Sequence, residues 1–389
     1  MKKHTEILTE LIAAQICGKE LSVYSDNPFT DDFLFELYNL SKKHGVSHIV
    51  GSALINNGFL KGRSAENVFR DETFFTAYRY ETQKFVLDKV CGVLEKSAIP
   101  HIPLKGAVVS EFYPEPWMRT GCDIDILVHE YEAEKAAKAI AESLGYKIAG
   151  KGNHDFQILS GENIYIELHF SLIEENYSPA MAKVLENVWD YAKPAVNGGY
   201  RYELNGEMFY FYHVAHMAKH FICGGCGVRA FLDLWLMNKN KKYLSDKKTK
   251  TLLKKGGLAD FAQTAERLSE VWFSEKEHDE VTLIMQEYII SGGIFGSAET
   301  KMLSSQNRSG GRIKYLLSRV FVPYDDLKGQ YPIIKKYRFL TPICEFCRLF
   351  SLLFGKKRKF RKKYIDGMKN IHAAEVNDIK LLFERVGLS

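Results

Sequence analysis

Two short segments of this chain alternate strictly between apolar and polar residues, and no other feature limits the fold as much. Residues 123–128 read DIDILV and residues 163–170 read NIYIELHF. Successive side chains of a β-strand point to opposite faces, so each segment offers one face to a core and one to something else. Ile124, Ile126 and Val128 share a face, and Asp123 and Asp125 share the other. In the second segment Ile164, Ile166 and Leu168 stand against Tyr165, Glu167 and His169. A chain with two such strands has to build a sheet.

The surroundings are helical. Amphipathic segments fall near 4–17, 30–43 and 47–57, followed by a long one over 65–97. In that helix Phe74, Phe75, Tyr78, Phe85, Val86, Val90 and Val93 recur near a 3.6-residue period and are expected to face a core. Ser64 is its expected N-cap, and Pro100 and Pro103 end the helical stretch. Residues 101–105 read as a strand, 107–112 as one or two helical turns, and 131–144 as a helix closed by Gly145. Strands follow near 146–149 and 154–159. From about 180 the chain returns to helix, over 206–222, 228–238, 246–255, 258–270 and 276–291. A Gly- and Ser-rich loop is expected over 292–311, then helices broken by Pro323, Pro332 and Pro342. The pattern is α+β: a small mixed β-sheet core over 99–195, an N-terminal helical region over 1–98, a helical domain over 196–300 and a helical C-terminal region over 301–389.

Composition narrows the function. The 389 residues are 46% hydrophobic and 26% charged, ordinary for a globular chain. The net charge of +5 is local, because KKRKFRKK at 356–363 carries +7 and leaves the remainder slightly negative. A general nucleic-acid binder would be basic throughout. The basic run predicts a weak contact with an anionic membrane or a nucleic acid, against the plainer reading of a solvated charged segment. No signal peptide is read at the start, and Phe339–Phe354, the most apolar stretch, contains Pro342, Glu345 and Arg348. Seven cysteines in a chain of this length do not form a secreted disulfide framework. The expected location is the cytoplasm.

Two carboxylates about 7 Å apart on one strand face repel each other, and a divalent cation removes that repulsion. Hard oxygen ligands suit Mg²⁺. Glu167 is a third acid on a strand of the same design, and three carboxylates can hold two ions for phosphoryl chemistry. Upstream, Lys105 and Gly106 end a strand and open a helix, where backbone amides attract phosphate. Arg119 lies four residues before Asp123 and can clamp a phosphate bidentately. Alone, Gly106 reads as a turn glycine and Arg119 as a solvated arginine; their order along the chain is what points to a site.

At these residues the chain resembles a known family. LKGAVVSEFYPEPWMRTGCDIDILV, HDFQILSGENIYIELHF, HVAHMAKHF and RAFLDLW are similar to the uncharacterised nucleotidyltransferase family, within the DNA polymerase β-like nucleotidyltransferase superfamily. The resemblance runs from about residue 70 to about 350. It implies a minimal nucleotidyltransferase core with helical additions, using Mg²⁺ or Mn²⁺ and an NTP. It implies that Asp123 and Asp125 bind both metals and that Glu167 binds the one activating the acceptor hydroxyl. The acceptor, whether sugar, metabolite, RNA or protein, stays open. One departure is plain: the superfamily's Gly-Ser is replaced by Lys105-Gly106-Ala107, with Gly106 17 residues before Asp123. Lys105 and Arg119 are the candidates to take over the triphosphate contact. A catalytically silent nucleotide-binding or regulatory module on the same fold is the alternative.

Three further signals have two readings each. His213, His216 and His220 precede Cys223 and Cys226; they read as zinc ligands or, preferably, as hydrogen-bonded helix residues. Cys344 and Cys347 repeat the spacing and read as small apolar residues of a helix. Arg229 and Asp233 are spaced for an i, i+4 ion pair, although Arg229 could also face a substrate.

Overall fold

The computed structural model describes residues 2–21, 29–119, 121–172, 178–240, 246–320, 322, 324–354 and 373–388. The basic run at 356–363 lies outside them.

Five strands form a mixed sheet: β1 (His101–Pro103), β2 (Asp123–Val128), β3 (Lys147–Lys151), β4 (Asp155–Leu159) and β5 (Tyr165–His169). Their order across the sheet is β1-β2-β5-β4-β3. β2 and β5 run parallel, and the other neighbours are antiparallel. One face packs on the C-terminal half of α4 (Glu66–Lys96) and on α6 (Ala133–Leu144). Ile126, Val128, Ile166 and Leu168 are fully buried there with Val86, Val90, Ala136 and Ile140. Each such aliphatic side chain contributes about 1.5–3 kcal/mol. That burial fixes the register, since a slip of one residue would turn Asp125 and Glu167 into the core. Helix α6 ends at Gly145, whose φ of 67° is the left-handed turn a glycine takes at low cost.

The polar face looks toward α7 (Pro179–Leu185) and α8 (Gly206–Ile222). Asn205 caps α8 by accepting the Met208 N–H, and Met208, Phe211, Val214, Ala218 and Phe221 bury several sides of the helix. Around it, α1 (Lys2–Cys17), α2 (Asp31–Lys43), α3 (Ser47–Asn56), α9 (Gly227–Lys239), α10 (Asp246–Lys255), α11 (Ala259–Phe273) and α12 (Glu280–Gly292) share one large core. Thus the N-terminal helices and those after the sheet pack together. Two short strands, Ala192–Pro194 and Tyr202–Leu204, form a separate hairpin beside β1 that the sequence pattern did not reveal.

Three expectations are corrected. Ala65, not Ser64, is the N-cap of α4, with no side-chain bond; Ser64 instead donates its backbone N–H to Asp31. Phe74, Phe75, Tyr78 and Phe85 are exposed, because α4 turns Phe69, Val86, Val90 and Leu94 inward and these aromatics fall on the other side. The expected loop over 292–311 contains a helix, Ala298–Arg308. Ser297 caps it by accepting the Thr300 N–H, and Met302 and Leu303 bury against the final helix, Ala373–Arg385. Among the described residues no helix is long and apolar enough to cross a membrane.

Candidate active site

The parallel pairing of β2 with β5 sets Asp125 directly opposite Glu167, Asp123 opposite Tyr165 and Leu127 opposite His169. Asp123, Asp125, Glu167 and His169 stand on the face turned away from the α4–α6 core. Lys105 follows β1 with φ 48°, a left-handed conformation rare for a side-chain-bearing residue and costing about 1–3 kcal/mol. That turn sends its side chain back over the sheet, where Nζ donates to Asp125 Oδ1 at 2.6 Å. His169 Nε2 lies 2.8 Å from the same oxygen and 3.4 Å from Glu167 Oε2.

The charges follow from these contacts. Burial alone would raise the Asp125 carboxyl, but the Lys105 ammonium and the His169 hydrogen bond hold it at about 2. The His169 hydrogen bond lowers Glu167. His169 is lowered by burial, yet Asp125 and Glu167 leave it above the ordinary imidazole value. Asp123 is raised, first by burial and then by the neighbouring Asp125 charge.

The donor set fits a divalent cation. Asp125, Glu167 and His169 each present a ligand atom within 4.8 Å of the other two. The two carboxylates are the hard oxygen donors that Mg²⁺ or Mn²⁺ takes, and the imidazole touches both of them through Nε2. Asp123 is outside that close group and sits one step along the same strand face. His169 carried no role in the sequence reading; the signal for it was its place on the Glu167 face of β5.

Arg119 is anchored by Asp233, with Nε donating to Oδ1 at 2.7 Å and to Oδ2 at 2.9 Å. Tyr113 donates its hydroxyl to the same carboxylate at 2.7 Å. Asp233 therefore serves partners far along the chain. Arg229 stands half-buried nearby, its pKa lowered by desolvation and by Arg119. Two guanidiniums beside this carboxylate leave a basic wall, and a Cβ placed on Gly106 would approach Arg119 Nη1 to 3.4 Å. The helix opened by Gly106, α5 (Gly106–Val109), is a single turn, so individual amides rather than a macrodipole act there.

Two chambers meet at the carboxylates. The larger, about 540 Å³, is lined by Lys105, Gly106, Arg119, Asp123, Asp125 and Arg229. The smaller, about 290 Å³, is lined by Glu167, His169, Leu172, Met181, Leu185 and Lys219. Lys105, Asp123, Tyr212, His216, His220 and Phe295 border both. His216 and His220 contact each other through Nε2 at 3.2 Å, and His213 Nε2 lies 3.1 Å from the Ala230 carbonyl. Among the described residues the histidines and Cys223 and Cys226 do not converge as a metal cluster. The CGGC glycines have another cause: a Cβ on Gly225 would stand 2.1 Å from Gly296 N. They let the 293–296 backbone pass and place Phe295 between the chambers.

A family model for an uncharacterised nucleotidyltransferase matches residues 35–274, a span that holds the whole sheet, both chambers' helical walls and Asp233. The comparison with curated proteins found no match. Among solved structures the chain is similar to the antibiotic-resistance factor ANT(2'')-Ia, at 12% identity over 50% of this chain and 90% of that one, with a TM-score of 0.28. At that score the likeness carries no argument about the site.

Proposed function

The chain belongs to the uncharacterised nucleotidyltransferase family, and from that premise we propose that it moves a nucleoside monophosphate from an NTP to an acceptor hydroxyl, releasing pyrophosphate, at Asp123, Asp125 and Glu167. The observation that carries this reading is the pairing of Asp125 with Glu167 across parallel strands, with Lys105 and His169 closed on one oxygen. Gathering so many charges out of water costs several kcal/mol per ion. The sheet's packing does not require them, since its core lies on the other face.

Mg²⁺ or Mn²⁺ would be held by Asp125 and Glu167 with Asp123, and would supply neutralisation of the triphosphate and acidification of the acceptor hydroxyl. His169 orients the Asp125 and Glu167 carboxylates through its Nε2. Lys105, Arg119 and the backbone at Gly106 draw the triphosphate into the larger chamber. The acceptor enters the smaller chamber, beside Glu167. Lys105, Asp123 and Tyr212 border both, so the reacting phosphorus belongs where they stand. The protein's part is positioning and charge neutralisation. The smaller chamber's volume and its Leu172, Met181 and Leu185 wall favour a compact metabolite or sugar over an RNA end or a protein side chain.

One observation favours a silent nucleotide-binding module: the Lys105 ammonium already neutralises Asp125. A panel of the four labelled NTPs, with Mg²⁺ or Mn²⁺ and a cell extract, separates the two readings. A labelled product with pyrophosphate supports the enzyme. Calorimetric binding of an NTP with no pyrophosphate supports the silent module.

A further inference from the structure

Residues 324–354 build a small unit with its own core. Leu327, Ile334 and Cys344 are buried together, with Val322, Tyr324, Tyr331 and Leu340 packed around them. Its helices are Tyr324–Gln330, Ile333–Lys336 and Thr341–Phe354. The last helix turns Cys344 and Arg348 inward, and Arg348 neutralises Glu345 through bonds of 2.7 and 2.8 Å. Its outer side is apolar. Phe339, just before the helix, is 74% exposed, Ile343 59% and Phe346 69%. Phe350 continues the series one turn on. The spacing of four, three and four residues is that of one helical stripe. Large aromatics gathered on one exposed face mark an interaction surface.

The neighbourhood of this stripe is basic. Lys335, Lys336 and Arg338 are all exposed immediately before it. In the sequence, residues 312–363 carry fifteen Lys and Arg against three Asp and Glu, while the chain as a whole has 53 against 48. A second copy of the chain on this face would bring two cationic edges together, which like-charge repulsion opposes. The stripe lies along a convex helix with an aliphatic residue in its middle, unlike the grooved aromatic platform that single-stranded RNA uses. An apolar stripe with a cationic border is what an interfacial helix presents to lipid.

We propose that the 324–354 unit docks on an anionic lipid surface, with Phe339, Ile343 and Phe346 entering the acyl boundary and Lys335, Lys336 and Arg338 meeting the headgroups. The unit lies on the membrane and does not cross it. The attachment is independent of the nucleotidyl-transfer reading.

The test is flotation of the full chain with vesicles of phosphatidylcholine, with or without about one third phosphatidylglycerol. The expected result is binding to the anionic vesicles, weakened by salt, and little binding to the neutral ones. Ile343→Ser with Phe346→Ser should lower the bound fraction by roughly tenfold or more, with an unchanged melting temperature and sedimentation coefficient. Should that pair of changes unfold the unit, Phe346→Trp reads the same contact, since the emission of the new indole should shift to the blue on adding anionic vesicles. Wild-type protein that stays unbound to anionic vesicles overturns the proposal. So does equal binding by the folded double variant, an emission of the Phe346→Trp variant unmoved by lipid, a wild-type dimer that the double variant dissociates, or binding to RNA but not to vesicles.

Discussion

Replacing Lys105 with Met tests how the carboxylates are kept together. The methionine keeps the length of the chain and removes the ammonium that donates to Asp125 at 2.6 Å. Asp125 is 4% exposed, so water from the adjoining chamber replaces the lost partner only in part. A carboxyl held at about 2 instead of 3.8 represents about 2–3 kcal/mol of differential interaction. Lys105 and His169 share that, while breaking a buried pair typically costs about 3–5 kcal/mol. The expected loss for Lys105→Met is therefore about 2–4 kcal/mol, a fall of roughly 2–5 °C in melting temperature for a chain this large. A cation on the same carboxylates should return much of it, so millimolar Mg²⁺ or Mn²⁺ should raise the variant's melting temperature more than the wild type's. Differential scanning fluorimetry with chelator and with metal reads both numbers. A variant that melts like the wild type, or one whose loss is the same with and without metal, would mean that the ammonium does not hold these carboxylates together.

Asp233→Asn should cost about 3–5 kcal/mol, because it leaves the buried Arg119 and Tyr113 without their carboxylate; a urea midpoint measures it. Burial, the largest cause, holds His44 and His48 at about 4 against an ordinary 6.5. The unfolded chain takes up protons at both below pH 6.5 and the folded chain only near pH 4, so stability falls as the pH drops through that window. The limit is about 3 kcal/mol per histidine, and His48→Gln should flatten the urea midpoint between pH 7 and pH 5. Gly225→Ala places a Cβ 2.1 Å from the Gly296 nitrogen, and should destabilise by about 1–3 kcal/mol and raise KM for either substrate by shifting Phe295.

The sheet was legible because period-two alternation at 123–128 and 163–170 is a local signal that names both the core face and the acidic one. Its pairing was not, since Asp125 meets Glu167 only when β2 lies parallel beside β5, across α6 and two other strands. Lys105 could be picked out as a positive charge at a strand end. Its positive φ and its turn back onto Asp125 depend on how β1 joins the short helix opened by Gly106. Asp233 is the instructive case. Sequence spacing offered Arg229 four residues away, and the fold adds Arg119 and Tyr113 from more than a hundred residues upstream. Likewise the CGGC glycines, which the less favoured zinc reading would place in a metal motif, answer to the close passage of the 293–296 backbone. Because of the buried Lys105–Asp125–His169 contacts, Asp125→Asn should lower stability as well as activity, since it removes the charge that Lys105 and His169 share.

Glu167 offers the cleaner probe, being half-buried and bonded to His169 alone among the pairs described above. Pyrophosphate release from Mg²⁺-NTP should therefore be measured for wild type and Glu167→Gln, with the small-molecule fraction of a cell extract as acceptor source. The wild type should release pyrophosphate and the variant roughly a hundredfold less or lower still, with the fold intact by circular dichroism. Equal release by Glu167→Gln would contradict the place of Glu167 in the site.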